Sequence, residues 1–243
     1  MRFSVLKAGT ASRVTRARVG DFDAMFIRLL SQPGQQWEVH DVEHGEFPQS
    51  PRDYHGFVIT GSAASAYDDE PWIRDLLSFV REAYHEGVPL LGICFGLQVV
   101  TQALGGEVGP NPQGWDLGLA ELTLTGRALA FAPLAGAPSP IRILETHQDV
   151  ATRLPNGAVP LAYSHRTRHE LFTLGERVLC LQGHPEMDDE TVRELIEKRL
   201  QRGLLDPARA AEGLASLGPA PHRRFLQTWL RKYLRDGRLP VAA

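Results

Sequence analysis

Short apolar runs alternate with amphipathic helical stretches along the first hundred residues, and this alternation constrains the fold more than any other feature of the chain. Strand-like runs occupy Phe3 to Ala8, Trp37 to Val42, Gly56 to Thr60 and Val88 to Ile93. Between them, Phe22, Phe26, Leu29 and Leu30 share one side of a helix over about Asp21 to Leu30. Trp72, Ile73, Leu76, Leu77, Val80 and Tyr84 form one stripe over Pro71 to Glu86, where Pro71 suits a first turn. Strands that alternate with helices in this way predict an α/β fold with a parallel sheet covered on both faces.

From about Gly118 to Leu181 the pattern changes to short β-like runs separated by Pro, Gly and Asn turns: Leu119 to Leu124, Ile141 to Glu145, Val159 to Tyr163 and Arg177 to Leu181. These predict a small antiparallel subsheet and a return to the main sheet. The remainder reads as helical. Asp189 to Arg202 places Val192, Leu195, Ile196 and Arg199 on one face, after acids suited to a helix start. A last pattern from about Pro221 to Arg235 contains Phe225, Leu226, Trp229, Leu230 and Tyr233, and its Arg223, Arg224, Arg231 and Arg235 read as a solvated face.

The 243 residues, 43% of them hydrophobic, fit one large domain over 1-243, with a core of about 1-200 and a C-terminal helical extension of about 201-243. A formal net charge of -3 gives no reason to expect nucleic acid or an anionic membrane as partner. The two cysteines, Cys94 and Cys180, both sit in strand-like surroundings, which argues against a disulfide framework and for a reducing, cytoplasmic setting. Cys180, inside an apolar strand, reads as packing. Arg2, Lys7, Arg13, Arg16 and Arg18 precede the first acid, Asp21, and superficially suggest a transit peptide, but Phe3 to Ala8 reads as a core strand. No apolar run approaches the roughly 18 residues of a membrane span.

Cys94 stands in Gly92-Ile93-Cys94-Phe95-Gly96-Leu97-Gln98, between a strand-like run and a helical stretch that stops at Gly105-Gly106. A glycine two residues to either side lets the chain reverse with Cys94 at the apex, as in a nucleophile elbow. Backbone amides at that helix start favour negative charge and can hold an oxyanion.

Gly183-His184-Pro185-Glu186 follows the strand-like Arg177 to Leu181, so His184 emerges at a strand end, where α/β sheets build their sites. The residue before a proline is pushed to extended geometry, and positions i and i+2 of an extended chain point the same way. Glu186 can then orient His184 towards Cys94 as nucleophile, base and carboxylate. The alternative is that Glu186 caps the helix at Asp189. A metal at His184 and Glu186 lacks ligand spacing and a third ligand, so neither metal nor cofactor is expected. An α/β-hydrolase would order its triad nucleophile, acid, histidine, whereas here the histidine precedes its acid.

Together these two motifs resemble the class I glutamine amidotransferase domain, over about Phe3 to Leu200, including the glutaminase domain of GMP synthase. The resemblance implies a three-layer, flavodoxin-like α/β sandwich and a Cys94-His184-Glu186 triad. It assigns Gln98 to the substrate's amino acid end, and Phe95 with Gly61 or Ser62, in Thr60-Gly61-Ser62-Ala63, to the oxyanion. That turn is usually Gly-Gly-Pro in the family. Gly114-Trp115-Asp116 has counterparts near the glutamine pocket and His147-Gln148-Asp149 at the site rim, although Trp115 equally fits a core position.

The implied chemistry is cleavage of a γ-glutamyl amide through a thioester on Cys94. The chain shows no glycine-rich phosphate loop for nucleotide activation. That leaves a separate glutaminase subunit or a stand-alone hydrolase. The Ile93-Cys94-Phe95-Gly96 and Gly114-Trp115-Asp116-Leu117-Gly118 stretches with the extra C-terminal helices resemble stand-alone members such as the plant γ-glutamyl peptidases, which implies a stand-alone hydrolase of glutamine or a γ-glutamyl peptide. The alternatives are a glutaminase subunit serving a separate synthase and a non-catalytic binding module.

Overall fold

The computed structural model describes residues 1–130, 134 and 136–239. In chain order the strands and helices are β1 (Arg2–Lys7), α1 (Arg13–Val19), α2 (Phe22–Leu30), β2 (Gln36–Asp41), β3 (Gly56–Ile59), α3 (Pro71–His85), β4 (Leu90–Ile93) and α4 (Phe95–Ala103). There follow β5 (Glu107–Pro110), β6 (Asp116–Leu124), α5 (Gly126–Ala130), β7 (Ile141–His147), β8 (Asp149–Arg153), β9 (Ala158–Tyr163), β10 (Leu171–Leu174) and β11 (Val178–Leu181). Helices α6 (Asp189–Gln201), α7 (Pro207–Ser216) and α8 (Arg223–Asp236) complete the described chain.

Side chains alternate across the central strands, and both faces are apolar. Phe3, Val5, Val58, Leu91, Ile93, Leu179 and Leu181 pack on one side against Phe26, Leu29 and Leu30 of α2 and Leu226, Trp229 and Leu230 of α8. Leu6, Phe57, Ile59, Leu90, Val178 and Cys180 pack on the other against α3 and α4. Strands buried on both faces need helices on both, which is the three-layer arrangement. Cys180 is fully buried there, and burial pushes its thiol up, in keeping with a packing role.

The sheet has nine strands in the order β2-β1-β3-β4-β11-β10-β9-β6-β7. From β2 to β11 neighbours run parallel, and from β11 to β7 they run antiparallel. β5 and β8 form a separate two-stranded antiparallel sheet. The pairing of β4 with β11 sets the Cys94 turn beside the strand that leads to His184.

Three strands and two helices, α1 and α5, go beyond the sequence reading. β5 contains Gly109 and Pro110, β8 is largely polar, and β10 has only four residues, so none carries a strong strand pattern. α1 lies in the basic N-terminal stretch. The bases there pair with acids brought from elsewhere: Arg2 with Glu38 at 2.7 Å, Lys7 with Asp41 at 3.1 Å and Asp21 at 3.3 Å, and Arg18 with Asp188 at 2.5 Å. The arginines of α8 are not all solvated either. Arg224 and Arg235 are exposed, but Arg223 turns onto the loop after β11 and Arg231 donates to the Leu29 carbonyl at 2.8 Å. No helix among the described residues is long and apolar enough to cross a membrane.

Candidate active site

Cys94 joins β4 to α4 with φ 54° and ψ -107°, the one non-glycine residue among those described with a positive φ. A side chain held there costs about 1–3 kcal/mol and persists only where the surroundings impose it. The flanking glycines supply that imposition through close approach. A Cβ on Gly92 would lie 2.6 Å from the Gly96 carbonyl oxygen, and one on Gly96 would lie 2.4 Å from the Ile59 carbonyl oxygen. The chain can reverse this tightly only where backbone meets backbone. The Cys94 amide donates to the Leu181 carbonyl at 2.9 Å, which fastens the turn to the end of β11.

Three residues beyond Leu181 stands His184. Its amide donates to the Leu144 carbonyl of β7 at 2.8 Å, and its Nδ1 lies 2.7 Å from Glu186 Oε1. Both side chains are buried, and Nε2 has no fixed hydrogen-bond partner. A carboxylate on Nδ1 sets the tautomer and leaves Nε2 for chemistry. Glu186 is not the helix cap: Asp188 takes that position, its side chain accepting from the Thr191 amide. Burial opposes charge on the His184 ring, yet the negative charge of Glu186 and the adjoining Cys94 outweigh it and hold the imidazolium well above the usual histidine range.

Gly61, past the end of β3, closes the other side. A Cβ there would lie 3.2 Å from His184 Cε1 and 3.8 Å from Cys94 Cβ, so the Gly61 α-carbon faces both side chains. The backbone amides of Gly61, Ser62 and Phe95 donate to no other group among the described residues. They remain available to an oxyanion near Cys94. The Ser62 side chain is occupied in accepting from the Ala64 amide at 3.1 Å.

The other sequence-read residues surround this centre in different ways. Gln98 is buried, and its Nε2 donates to the Asp149 carbonyl at 2.8 Å, so its amide braces the rim of the site. His147 Nδ1 lies 3.1 Å from the same carbonyl. Gly114 occupies an exposed turn with φ 73°, a conformation that suits glycine. Asp116 is buried, with Oδ2 3.3 Å from Thr167 Oγ1. Trp115 is half-buried and carries the Arg199 guanidinium 4.7 Å above its ring centre.

Arg199 is the functional candidate that sequence reading missed. It reaches from α6 to the Thr146 hydroxyl, has no acidic partner among the described residues, and is near enough to Cys94 to feel its charge. Burial lowers its pKa to about 10. The signal was present: Arg199 falls on the apolar face of its helix with Val192, Leu195 and Ile196. Arg223 was also missed. Its Nε and Nη2 donate to the carbonyls of Pro185 and Glu186 at 3.0 and 2.8 Å, clamping the loop that carries His184.

Asp116, His147 and Glu170 bring one donor atom each within 4.8 Å of one another. His147 Nε2 is also faced by Glu145 Oε2 at 3.2 Å, without the alignment of a hydrogen bond.

The family model for glutamine amidotransferase class-I matches residues 20–201, so this chain, whose parallel sheet delivers a cysteine and a histidine from adjoining strand ends, belongs to that family. It is similar to γ-glutamyl peptidase 5 of Arabidopsis thaliana, with 32% identity over 96% of this chain and 95% of the relative, and to γ-glutamyl peptidase 3 of the same plant, with 31% identity over 96% of both. A solved glutamine amidotransferase from Methylobacillus flagellatus shares the fold, with a TM-score of 0.75 and 24% identity over 98% of this chain and 93% of that one.

Proposed function

We propose that the protein hydrolyses a γ-glutamyl amide bond, with Cys94 as nucleophile, His184 as acid and base, and Glu186 as the carboxylate that orients and charges His184. The observation that carries this reading is the strained Cys94 turn facing a buried His184 whose Nδ1 is taken by Glu186 at 2.7 Å. The Cys94 thiolate attacks the γ-carbonyl carbon, and the oxygen collects the negative charge beside the amides of Phe95 and Gly61 or Ser62. Each such donor is worth about 3 kcal/mol of barrier. The carbon–nitrogen bond breaks as His184 gives its proton to the leaving nitrogen, which departs as an amine or ammonia. His184 then takes a proton from water, whose oxygen displaces the sulfur and releases glutamate.

Arg199 supplies a cation with no acidic partner among the described residues at the edge of this site, and a substrate carboxylate fits it. A planar guanidinium fixed on Trp115 is ready to accept such a group with little further ordering. The near full-length likeness to γ-glutamyl peptidases supports a peptide-type γ-glutamyl substrate handled without a synthase.

The test is glutamate release by purified protein from glutamine, glutathione and glutathione conjugates, beside Cys94→Ala. Turnover by the purified chain alone, lost in the variant, is the expected result. Equal release by both proteins would refute the reading, and release from glutamine only after addition of cell extract would assign a synthase-dependent glutaminase instead.

A further inference from the structure

Behind the His184 loop lies a second group of ionisable side chains that the reaction above does not use. Glu145 is the centre of it. Its residue neighbour Leu144 accepts the His184 amide, and its own carboxyl presses on the turn, since a Cβ on Gly183 would lie 2.3 Å from Glu145 Oε1. Asp116 of β6, His147 of β7, Glu170 ahead of β10, and His184 and Glu186 after β11 all face it. Glu145 and Glu170 are wholly buried, and none of their four carboxyl oxygens has a hydrogen-bond donor when both are drawn ionised. Two such carboxylates without donors would each leave the full cost of a desolvated charge uncompensated.

Neutral carboxylic acids at both positions avoid that cost, since neither glutamate then carries a buried charge. Burial and the neighbouring acids push both glutamates well above the usual carboxylate range, in agreement with that state.

We infer that Glu145 and Glu170 are both held as neutral carboxylic acids, and that Glu145 seats the Gly183-His184 turn from behind as a positioning residue. The inference rests on the reading of His184 as the acid and base. Its use is electrostatic as well as steric. Glu186 and Cys94 then set the charge on His184, whereas a further carboxylate behind the ring would hold the imidazolium too firmly for it to surrender its proton to the leaving nitrogen. A carboxylic acid kept neutral by its surroundings can donate a hydrogen bond without adding charge.

Two measurements test this on the full chain. Infrared difference spectra at neutral pH, wild type minus Glu145→Gln, are expected to show a protonated-carboxyl stretch, and the same for Glu170→Gln. This readout does not depend on turnover, so it stands whether or not the Cys94 reading holds. In kinetics, Glu145→Gln, which keeps the shape and a donor, should retain kcat within about 3-fold and an unchanged pH profile. Glu145→Ala should lose about 10-fold or more in kcat with KM little altered, as the His184 turn slackens. Absence of the protonated-carboxyl band from either difference spectrum would overturn the inference. So would a Glu145→Gln variant as impaired as Glu145→Ala, or one equivalent of bound metal that is lost with Glu170→Gln.

Discussion

The amide of Cys94 donates to the carbonyl of Leu181 at 2.9 Å, so the turn that presents the sulfur and the strand that delivers His184 are hydrogen-bonded to each other. The separation of sulfur and imidazole is therefore set by sheet register and does not depend on loop closure. Sites carried on sheet ends hold their geometry more closely than sites carried on loops.

Gly61 is the position where that geometry leaves no spare room. Gly61→Ala would place a methyl 3.2 Å from His184 Cε1, and the ring must yield by a few tenths of an ångström. A loss of about 10-fold or more in kcat/KM is expected, with stability within about 1 kcal/mol of wild type, because misplacement of a reacting group costs rate before it costs folding. Steady-state kinetics and thermal melts on the same variant separate the two.

The pH profile follows from Glu186. His184 is held above the ordinary histidine value of 6.5, so the alkaline limb of kcat/KM, where the acid for the leaving nitrogen is lost, should lie above that value. Glu186→Gln removes the charge that raises it, and the limb should move to lower pH. The stability sign agrees: a raised folded pKa stabilises fully below the unfolded value near 6.5 and is lost as pH rises through the folded value. Glu186→Gln should thus cost more stability at acid than at alkaline pH, measurable by denaturant titration at both.

Arg223 tests whether α8 supports the site. Arg223→Met removes two donors from the carbonyls of Pro185 and Glu186, and hydrogen bonds from a charged group are worth about 1.5–3 kcal/mol each. Loss of roughly that order in stability is expected, with kcat reduced more than KM is raised. A variant with wild-type melting and wild-type kcat would show the clamp to be incidental.

Much of this was legible from residue order alone. The runs at Phe3, Gly56 and Val88 are apolar enough to read as buried strands, and with the more polar edge run at Trp37 they became β1 to β4 in one parallel set. The Cys94 and His184 motifs could be read because turn glycines and a proline fix backbone directions locally. Other features could not be read, because their meaning is made by distant partners. Arg223 looks like any surface arginine until the fold lays α8 against the loop after β11. Glu145 looks like a strand-end acid until Gly183, His147 and Glu170 surround it. Even the flanking glycines acquire a different role: the positive φ belongs to Cys94, and Gly92 and Gly96 permit close backbone contact.

Arg199 should decide how substrate is held. Arg199→Met keeps much of the packing on Trp115 and removes the charge, so KM for γ-glutamyl substrates should rise by about 10-fold or more while kcat changes less. The wild type should discriminate against a substrate whose α-carboxylate is amidated if Arg199 holds that group. It should discriminate against glutathione amidated at its C-terminus if Arg199 holds that end instead. Equal handling of all three by both proteins would remove Arg199 from substrate binding.

The most direct measurement is intact-protein and peptide mass spectrometry of enzyme quenched in acid during turnover of a γ-glutamyl substrate. A γ-glutamyl adduct on the peptide containing Cys94, absent when Cys94→Ala is treated identically, is the expected result. Undiminished glutamate release by Cys94→Ala, with no adduct in either protein, would contradict the account.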